Sequence, residues 1–252
     1  MKVSVVVPCF NSESTIERTI KSVFNQTLLP YEIVCVDDGS SDRTIDLLLR
    51  LKDACPKGLS LIIIQQKNSG PSIARNVGVD CSKGNYIAFL DSDDVWHPKK
   101  IEIITNIVLK NNLNFIYHLY SSLPYTKEIN FDNIEVKTKK RHLFALKNFI
   151  ATPTVLLRKE FFCKFPEDLS YCEDYCCWLL SNENDFIYVD LPLANGFKNP
   201  LGESGLSSNI HKMHTGFLRA LSYLHKEKKI GSSFYFIATI VEFIKYPIRY
   251  LR

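Results

Sequence analysis

The sequence has no apolar run long enough to cross a bilayer. The N-terminal run Val3–Val7 covers five residues and stops at Pro8, where a spanning helix needs about 20 apolar residues. It is also too short for a signal h-region, so no signal peptide is expected. The last apolar stretch, Phe234–Leu251, is broken by Glu242, Lys245 and Arg249, and Pro247 is expected to kink or end its helix. The eight cysteines contain no Cys-x-x-Cys pair. Cys9, Cys35 and Cys81 lie in or beside apolar segments, and Cys172, Cys176 and Cys177 are clustered at the wrong spacing. That argues against a cysteine metal site and for reduced core thiols in a cytoplasmic protein. Internal repeats and low-complexity segments are also missing, which excludes solenoids.

What is present suits one large domain or a domain with an appendage. Of 252 residues, 46% are hydrophobic and 23% charged, enough apolar material for a core. The net charge of +4 is unevenly spread. From Lys198 to Arg252 there are nine Lys/Arg against three Asp/Glu, while the preceding residues carry 22 against 24. A basic end on a near-neutral body implies an anionic partner for that end alone. Its cations alternate with aliphatic and aromatic residues, which favours a membrane surface over nucleic acid.

The first 118 residues alternate strand and helix signals. Strands are expected at Lys2–Val7, Tyr31–Val36, Leu59–Ile64, Tyr86–Leu90 and Phe115–Leu119. Helices are expected after Ser12 or Ser14 (with Ile16, Ile20, Val23 and Phe24 on one face), from Ser41-Asp42 through Leu49, over Pro71–Val79 and over Pro98–Lys110. This alternation predicts a mostly parallel, Rossmann-like sheet covered by helices on both faces. Residues 121–141 read as an exposed insertion or hairpin. A helix at about 142–149, a strand Thr154–Leu157, a helix Lys159–Phe165, a helix opening near Glu173-Asp174 and a strand Phe186–Val189 follow. Leu191–Asn209 reads as a long loop, and two helices end the chain.

In such sheets ligands bind beyond the carboxyl ends of the strands. Three polar clusters fall on that edge: Pro8-Cys9-Phe10-Asn11, Asp37-Asp38-Gly39-Ser40 and Asp91-Ser92-Asp93-Asp94. Three acids within four residues repel one another unless a cation sits among them, and oxygen donors on a turn suit a hard ion such as Mg or Mn. A solvated turn is the plain alternative. Plain alternatives also stand for Asp37-Asp38-Gly39 as a type I turn, Arg75 as a surface helix arginine and Glu173-Asp174 as a helix cap.

Five motifs together resemble family 2 glycosyltransferases of GT-A fold, of the bacterial surface-polysaccharide type. They are Val5–Asn11 with Glu13, Val36–Asp42, Asn68–Asn76, Gly84–Asp94 and Glu173-Asp174, in the family's order over roughly the first 180 residues. The last 70 residues match loosely, through Gly202–Ser207. The resemblance implies a UDP-sugar donor, inversion at the anomeric carbon, and Mn or Mg. It implies that Asp38 binds the uracil, that Pro8 and Glu13 shape the nucleoside pocket with Asn11 and Ser92 nearby, and that Arg75 sits near the base or diphosphate. Asp91 would face the ribose and the metal, Asp93 would ligate the metal, and Asp174 would be the catalytic base with Glu173 beside it. A carboxylate at a helix amino terminus is expected to stay ionised at neutral pH.

The chain departs from the family's pattern twice. Cys163-Lys164-Phe165-Pro166 stands where relatives often carry Gly-Gly-Phe, and the loop Asn195–Pro200 lacks a further metal-binding His; His211 and His214 come later. The expected organisation is a nucleotide-sugar half over residues 1–119, an acceptor half over 120–208 and a helical extension over 209–252. The acceptor implied is a saccharide, lipid-linked, in O-antigen, capsule or lipooligosaccharide assembly. The basic aromatic C-terminus would rest on the inner face of the cytoplasmic membrane, through Lys245, Arg249 and Arg252. For Phe234–Phe243, packing on the core is an equal alternative. The rival functions are a nucleotidyltransferase and an inactive nucleotide-binding or scaffold protein of the same fold. Pro8-Cys9-Phe10-Asn11 is not the Gly-rich, basic loop that a nucleotidyltransferase needs for a triphosphate.

Overall fold

The computed structural model describes residues 1–121, 134–197 and 209–250. The Gly202–Ser207 match and Arg252 lie outside these residues, as does most of the 121–141 insertion. The order is β1 (Val3–Cys9), α1 (Ile16–Phe24), β2 (Glu32–Asp37), α2 (Thr44–Asp53), β3 (Ser60–Gln65), α3 (Pro71–Cys81), β4 (Tyr86–Phe89), β5 (Val95–Trp96), α4 (Lys100–Asn111), β6 (Phe115–Ser121), β7 (Val136–Lys139), β8 (Leu156–Arg158), α5 (Glu173–Ser181), β9 (Phe186–Asn195), α6 (Ile210–Lys226) and α7 (Ser232–Arg249). The strands form one sheet in the order β3-β2-β1-β4-β8-β6-β9-β5, with β7 on β9. Neighbours from β3 to β4 are parallel, β8 is inserted antiparallel between β4 and β6, and β9 returns parallel to β6.

The β-branched runs explain the parallel half. Val3, Val5 and Val7 point into one core with Ile16, Ile20, Leu48 and Ile104, while Val6 points into the other with Phe89, Phe115 and Trp178. A strand buried on both faces wants this continuous apolar reading. Each such side chain contributes about 1.5–3 kcal/mol when fully buried. Helix α3 lies against β1 and β2 through Ala74, Gly78 and Val79. A Cβ at Gly78 would come within 2.4 Å of Val6.

Differences from expectation have local causes. The helix expected at about 142–149 is one 3-10 turn, Arg141–Ala145. Asn148 Oδ1 accepts the Ile150 N–H at 3.0 Å, a side-chain bond that competes with helix. The helix expected at Lys159–Phe165 is a 3-10 turn, Lys159–Phe161. Its next donors are taken elsewhere: Cys163 N–H by Ser181 Oγ (2.9 Å) and Phe165 N–H by Asn76 Oδ1 (2.9 Å). Strand β9 runs to Asn195, six residues beyond the expected end, and the ladder it shares with β6 shifts register on the β6 side of Leu119 and again after it, opposite Pro192. Helix α7 continues past Pro247 to Arg249, so the proline lies in its last turn and neither stops nor precedes it.

The C-terminal extension packs on α5 through Phe217, Ala220, Leu221 and Leu224 of α6, and α7 packs on α6. Only Ala238 and Glu242 of α7 are buried, while Phe236, Ile237, Ile240, Phe243 and Ile244 are each more than half exposed. Among the described residues, no helix is long and apolar enough to cross a membrane.

Candidate active site

A cleft of about 1100 Å³ opens at the carboxyl ends of β1, β2 and β4 and extends to α5, the 146–148 segment and α7. It brings together Pro8, Asn11, Asp38, Arg75, Asp91, Ser92, Asp93, Glu173 and Asp174. Glu13 does not line it. Its carboxylate instead accepts the Arg43 N–H (3.1 Å) at the start of α2, and its own N–H donates to Asp42. Glu13 thus fastens the first loop to α2 and shapes the pocket only through the backbone.

The β2 loop is built around Asp38. Its Oδ1 accepts from Gln66 Nε2 (2.7 Å) and Ser69 N–H (2.8 Å), and its Oδ2 from Gly70 N–H (2.8 Å). Gly39 sits at φ +76° and Gly70 at φ +92°, where a side chain is strained. A Cβ on Gly39 would also lie 2.9 Å from Asn68 N. An ionised carboxyl has about four acceptor positions. Three protein donors leave one on Oδ2.

Arg75 is not the surface arginine its helical position allows. It is 7% exposed, with Nη2 2.7 Å from Asp91 Oδ1, Nη1 3.3 Å from Glu173 Oε1, and its guanidinium 5.4 Å from the Phe165 ring. Burial opposes its charge, but Asp91 and Glu173 outweigh that and hold its pKa above the ordinary arginine value. Asn76 anchors the Phe165 segment by donating to Phe165 O (2.9 Å) and accepting its N–H. The guanidinium therefore ties the β4 loop to the start of α5.

Asp174, like Asp91, is half-buried. Its Oδ1 accepts the Tyr175 N–H (2.7 Å) and its Oδ2 accepts Asn148 Nδ2 (3.0 Å). The helix amino terminus does not keep its pKa low. Burial, then the neighbouring Glu173 charge, push it up to about 7 against the pull of the Tyr175 N–H and Arg75. Burial also raises Glu173, opposed by Arg75. A carboxyl poised near neutrality has the proton affinity a general base needs.

The Asp91–Asp94 turn is secured from the first loop and α1. Ser92 Oγ lies 2.7 Å from Ser12 Oγ, Ser92 O accepts from Thr19 Oγ1 (2.9 Å), and Asp93 O accepts from Arg18 Nη2 (3.3 Å). Asp94 does not belong with the other two acids. It is buried and accepts the Tyr120 hydroxyl at 2.8 Å. Among the described residues, no three His, Cys, Asp or Glu converge as a metal cage. His214 is buried between α6 and α7, stacked 4.0 Å from Tyr246 with Nδ1 3.1 Å from Glu242, and His211 bonds Tyr246. The hard donors at this edge are Asp91 and Asp93. Two carboxylates completed by phosphate oxygens and water match Mg-type coordination, so the donor set fits a divalent ion arriving with a diphosphate.

The model for "Glycosyl transferase family 2" matches residues 4–164. The chain belongs to glycosyl transferase family 2. An uncharacterized glycosyltransferase of Rickettsia bellii is 30% identical over 236 residues, covering 88% of this chain and 32% of that protein. The chain thus spans about a third of the length of such relatives. Escherichia coli WfgD, a UDP-Glc:alpha-D-GlcNAc-diphosphoundecaprenol beta-1,3-glucosyltransferase, is 32% identical over 212 residues, covering 83% of this chain and 81% of WfgD. The mannosyltransferase PcManGT from Pyrobaculum calidifontis, in complex with GDP-Man and Mn2+, superposes with TM-score 0.70 at 14% identity, covering 95% of this chain and 69% of that one. The fold is GT-A.

Asn148 and Glu242 line this cleft without being expected there, and Arg249 lines it where the sequence suggests membrane contact. Asn148 falls in a segment expected to be helical. Glu242 and Arg249 are seven residues apart, two turns of one helix face, and that spacing was the available signal.

Proposed function

We propose that this family 2 chain transfers a sugar from a UDP-sugar, with inversion, to a lipid-linked saccharide in the assembly of a bacterial surface polysaccharide. The observation that carries the reading is Asp174: a carboxylate near neutral pKa, opening into the same cleft as Asp38, Asp91 and Asp93. Support for the donor and acceptor classes comes from WfgD, whose name specifies UDP-Glc and a diphosphoundecaprenol-linked sugar.

The remaining acceptor position on Asp38 Oδ2 suits the uracil N–H, while Pro8 and Asn11 border the nucleoside. Asp91 and Asp93 would hold Mn or Mg, a metal that stabilises the negative charge growing on the departing diphosphate. Asp174 removes the proton from the attacking hydroxyl, and Asn148 and the Tyr175 N–H fix its orientation. A single displacement with base and leaving group on opposite faces inverts the anomeric carbon. Arg75 balances Asp91 and Glu173, two of the six acids that line the cleft.

Membrane contact fits the apolar outer face of α7, not its cations. Lys245 Nζ donates to Leu146 O and Arg249 pairs with Glu242, so both turn inward. Phe236, Ile237, Ile240, Ile244 and Ile248 recur at helical spacing on an uncharged face. Incubating the protein with a panel of UDP-sugars, Mn or Mg and a lipid-linked acceptor tests the function. Absence of both transfer and UDP-sugar hydrolysis across the panel favours the inactive scaffold.

A further inference from the structure

Two elements remote in sequence place cations on the cleft wall beside Asp174. Lys147 precedes Asn148, the residue that holds Asp174, and is itself exposed. Arg249, from the last turn of α7, lines the same cleft with Glu242. Glu242 is 3% exposed and takes Arg249 Nη1 at 2.7 Å and Nη2 at 2.8 Å, which fixes the guanidinium plane. A guanidinium has five N–H donors. Two go to Glu242, and among the described residues no other acceptor takes the remaining three. Lys245 stands behind them, donating to Leu146 O; burial and the nearby Arg249 and Lys147 charges disfavour its own. Lys147 and Arg249 against the single carboxylate of Glu242 leave this stretch of wall positive, in contrast to the acids at Asp91, Asp93, Glu173 and Asp174.

We infer that Lys147 and Arg249 bind the phosphates of the acceptor, so that the acceptor is a glycosyl diphosphate and not a neutral oligosaccharide. This rests on Asp174 being the acceptor's base. An acceptor sugar whose hydroxyl faces Asp174 lies over Asn148, and Lys147 is the next residue along. A diphosphate on that sugar's anomeric carbon then meets Lys147 and the held fork of Arg249, geometry suited to phosphate.

The probe is inorganic pyrophosphate, titrated calorimetrically into the full chain in EDTA, so that no metal complex forms at Asp93. Pyrophosphate binds wild type, and Lys147→Gln weakens it by about ten- to a hundredfold, the worth of a charged hydrogen bond. Because Arg249→Gln alone strands a buried Glu242, the second variant is the double Arg249→Gln/Glu242→Gln, which removes both charges and weakens binding similarly. No binding to wild type, or equal binding by all three proteins, overturns the inference. A second arm compares two acceptors with the same sugar, an alkyl glycosyl diphosphate and the neutral alkyl glycoside. The ratio of their kcat/KM values falls by about tenfold or more in either variant. A raised KM for the UDP-sugar with that ratio unchanged assigns the cations to the donor and also overturns the inference. Pyrophosphate binding that depends on Lys147, in a protein that transfers to neither acceptor, retires the glycosyltransferase reading and keeps the anion site. A lipid source is separated from a free one by replacing the short alkyl chain with a polyprenyl chain in vesicles: tighter binding there, lost with Lys147→Gln, identifies the lipid-linked form.

Discussion

Replacing Asp174 with Asn should abolish transfer while stabilising the protein above neutral pH. In the fold this carboxyl titrates at about 7 against its ordinary 3.8. The folded state therefore holds the proton more tightly than the unfolded chain does. Stability contributed by the neutral form is complete below about pH 4 and is lost as pH rises toward 7. At pH 8 the ionised group costs about 4 kcal/mol, at about 1.36 kcal/mol per pKa unit. Asn is never charged, so it escapes that cost. Its amide NH2, however, replaces one of the two oxygens that separately accept Asn148 Nδ2 and the Tyr175 N–H, which gives back about 1 kcal/mol. The net gain is about 3 kcal/mol at pH 8, or roughly 6–12 °C in Tm for a chain of this size, and none near pH 4. The assay is thermal unfolding of both proteins across pH 4–8 beside a transfer assay. Loss of a general base lowers the rate on the order of 10²–10⁴-fold, with donor affinity retained. In wild type the rate rises with pH and levels above about 7. A Tm difference that does not change between pH 4 and 8, or wild-type turnover by Asp174→Asn, refutes the reasoning.

Treatment with EDTA should stop transfer and Mn or Mg should restore it, while Asp93→Ala loses on the order of 10²-fold or more in kcat; full turnover in metal-free buffer is the contrary result. Arg75→Gln leaves buried Glu173 and half-buried Asp91 without their cation and should destabilise by about 3 kcal/mol in denaturant melts, while moving the pH midpoint of activity upward because Asp174 loses a neighbouring positive charge. Deleting the chain after Ile244 removes Arg249 from Glu242 and should lower Tm, where a tail that only adsorbed to lipid would leave Tm unchanged. The double variant Ile240→Ser/Ile244→Ser should keep wild-type Tm and lose sedimentation with anionic vesicles, and undiminished vesicle binding would count against the α7 face.

The parallel half of the fold and the donor-side loops were legible because their signals are local. Val3–Val7, the helix periods after Ser12 and Ser41, and Asp38-Gly39 each carry their meaning within a few residues. What sequence could not show was which partner each group meets. Arg75 and Glu173 pair across 98 residues, and nothing near Arg75 distinguishes a surface arginine from a buried counter-ion. The raised pKa of Asp174 is hidden because the helix terminus is visible in sequence and burial is not. The direction of Lys245 and Arg249 was also hidden. A basic aromatic helix reads as membrane-facing until packing shows Glu242 and Leu146 on the inner side. The short helices expected at 142–149 and Lys159–Phe165 failed where Asn148, Ser181 and Asn76 compete for backbone groups.

The central claim is that Asp174 drives a single displacement on a UDP-sugar. The most direct measurement is the anomeric configuration of the product, read by NMR from one turnover of an α-linked UDP-sugar onto a glycosyl diphosphate acceptor. The account predicts a β-linked product, formed by wild type and not by Asp174→Asn. An α-linked product, or a β-linked one formed equally by Asp174→Asn, would contradict it.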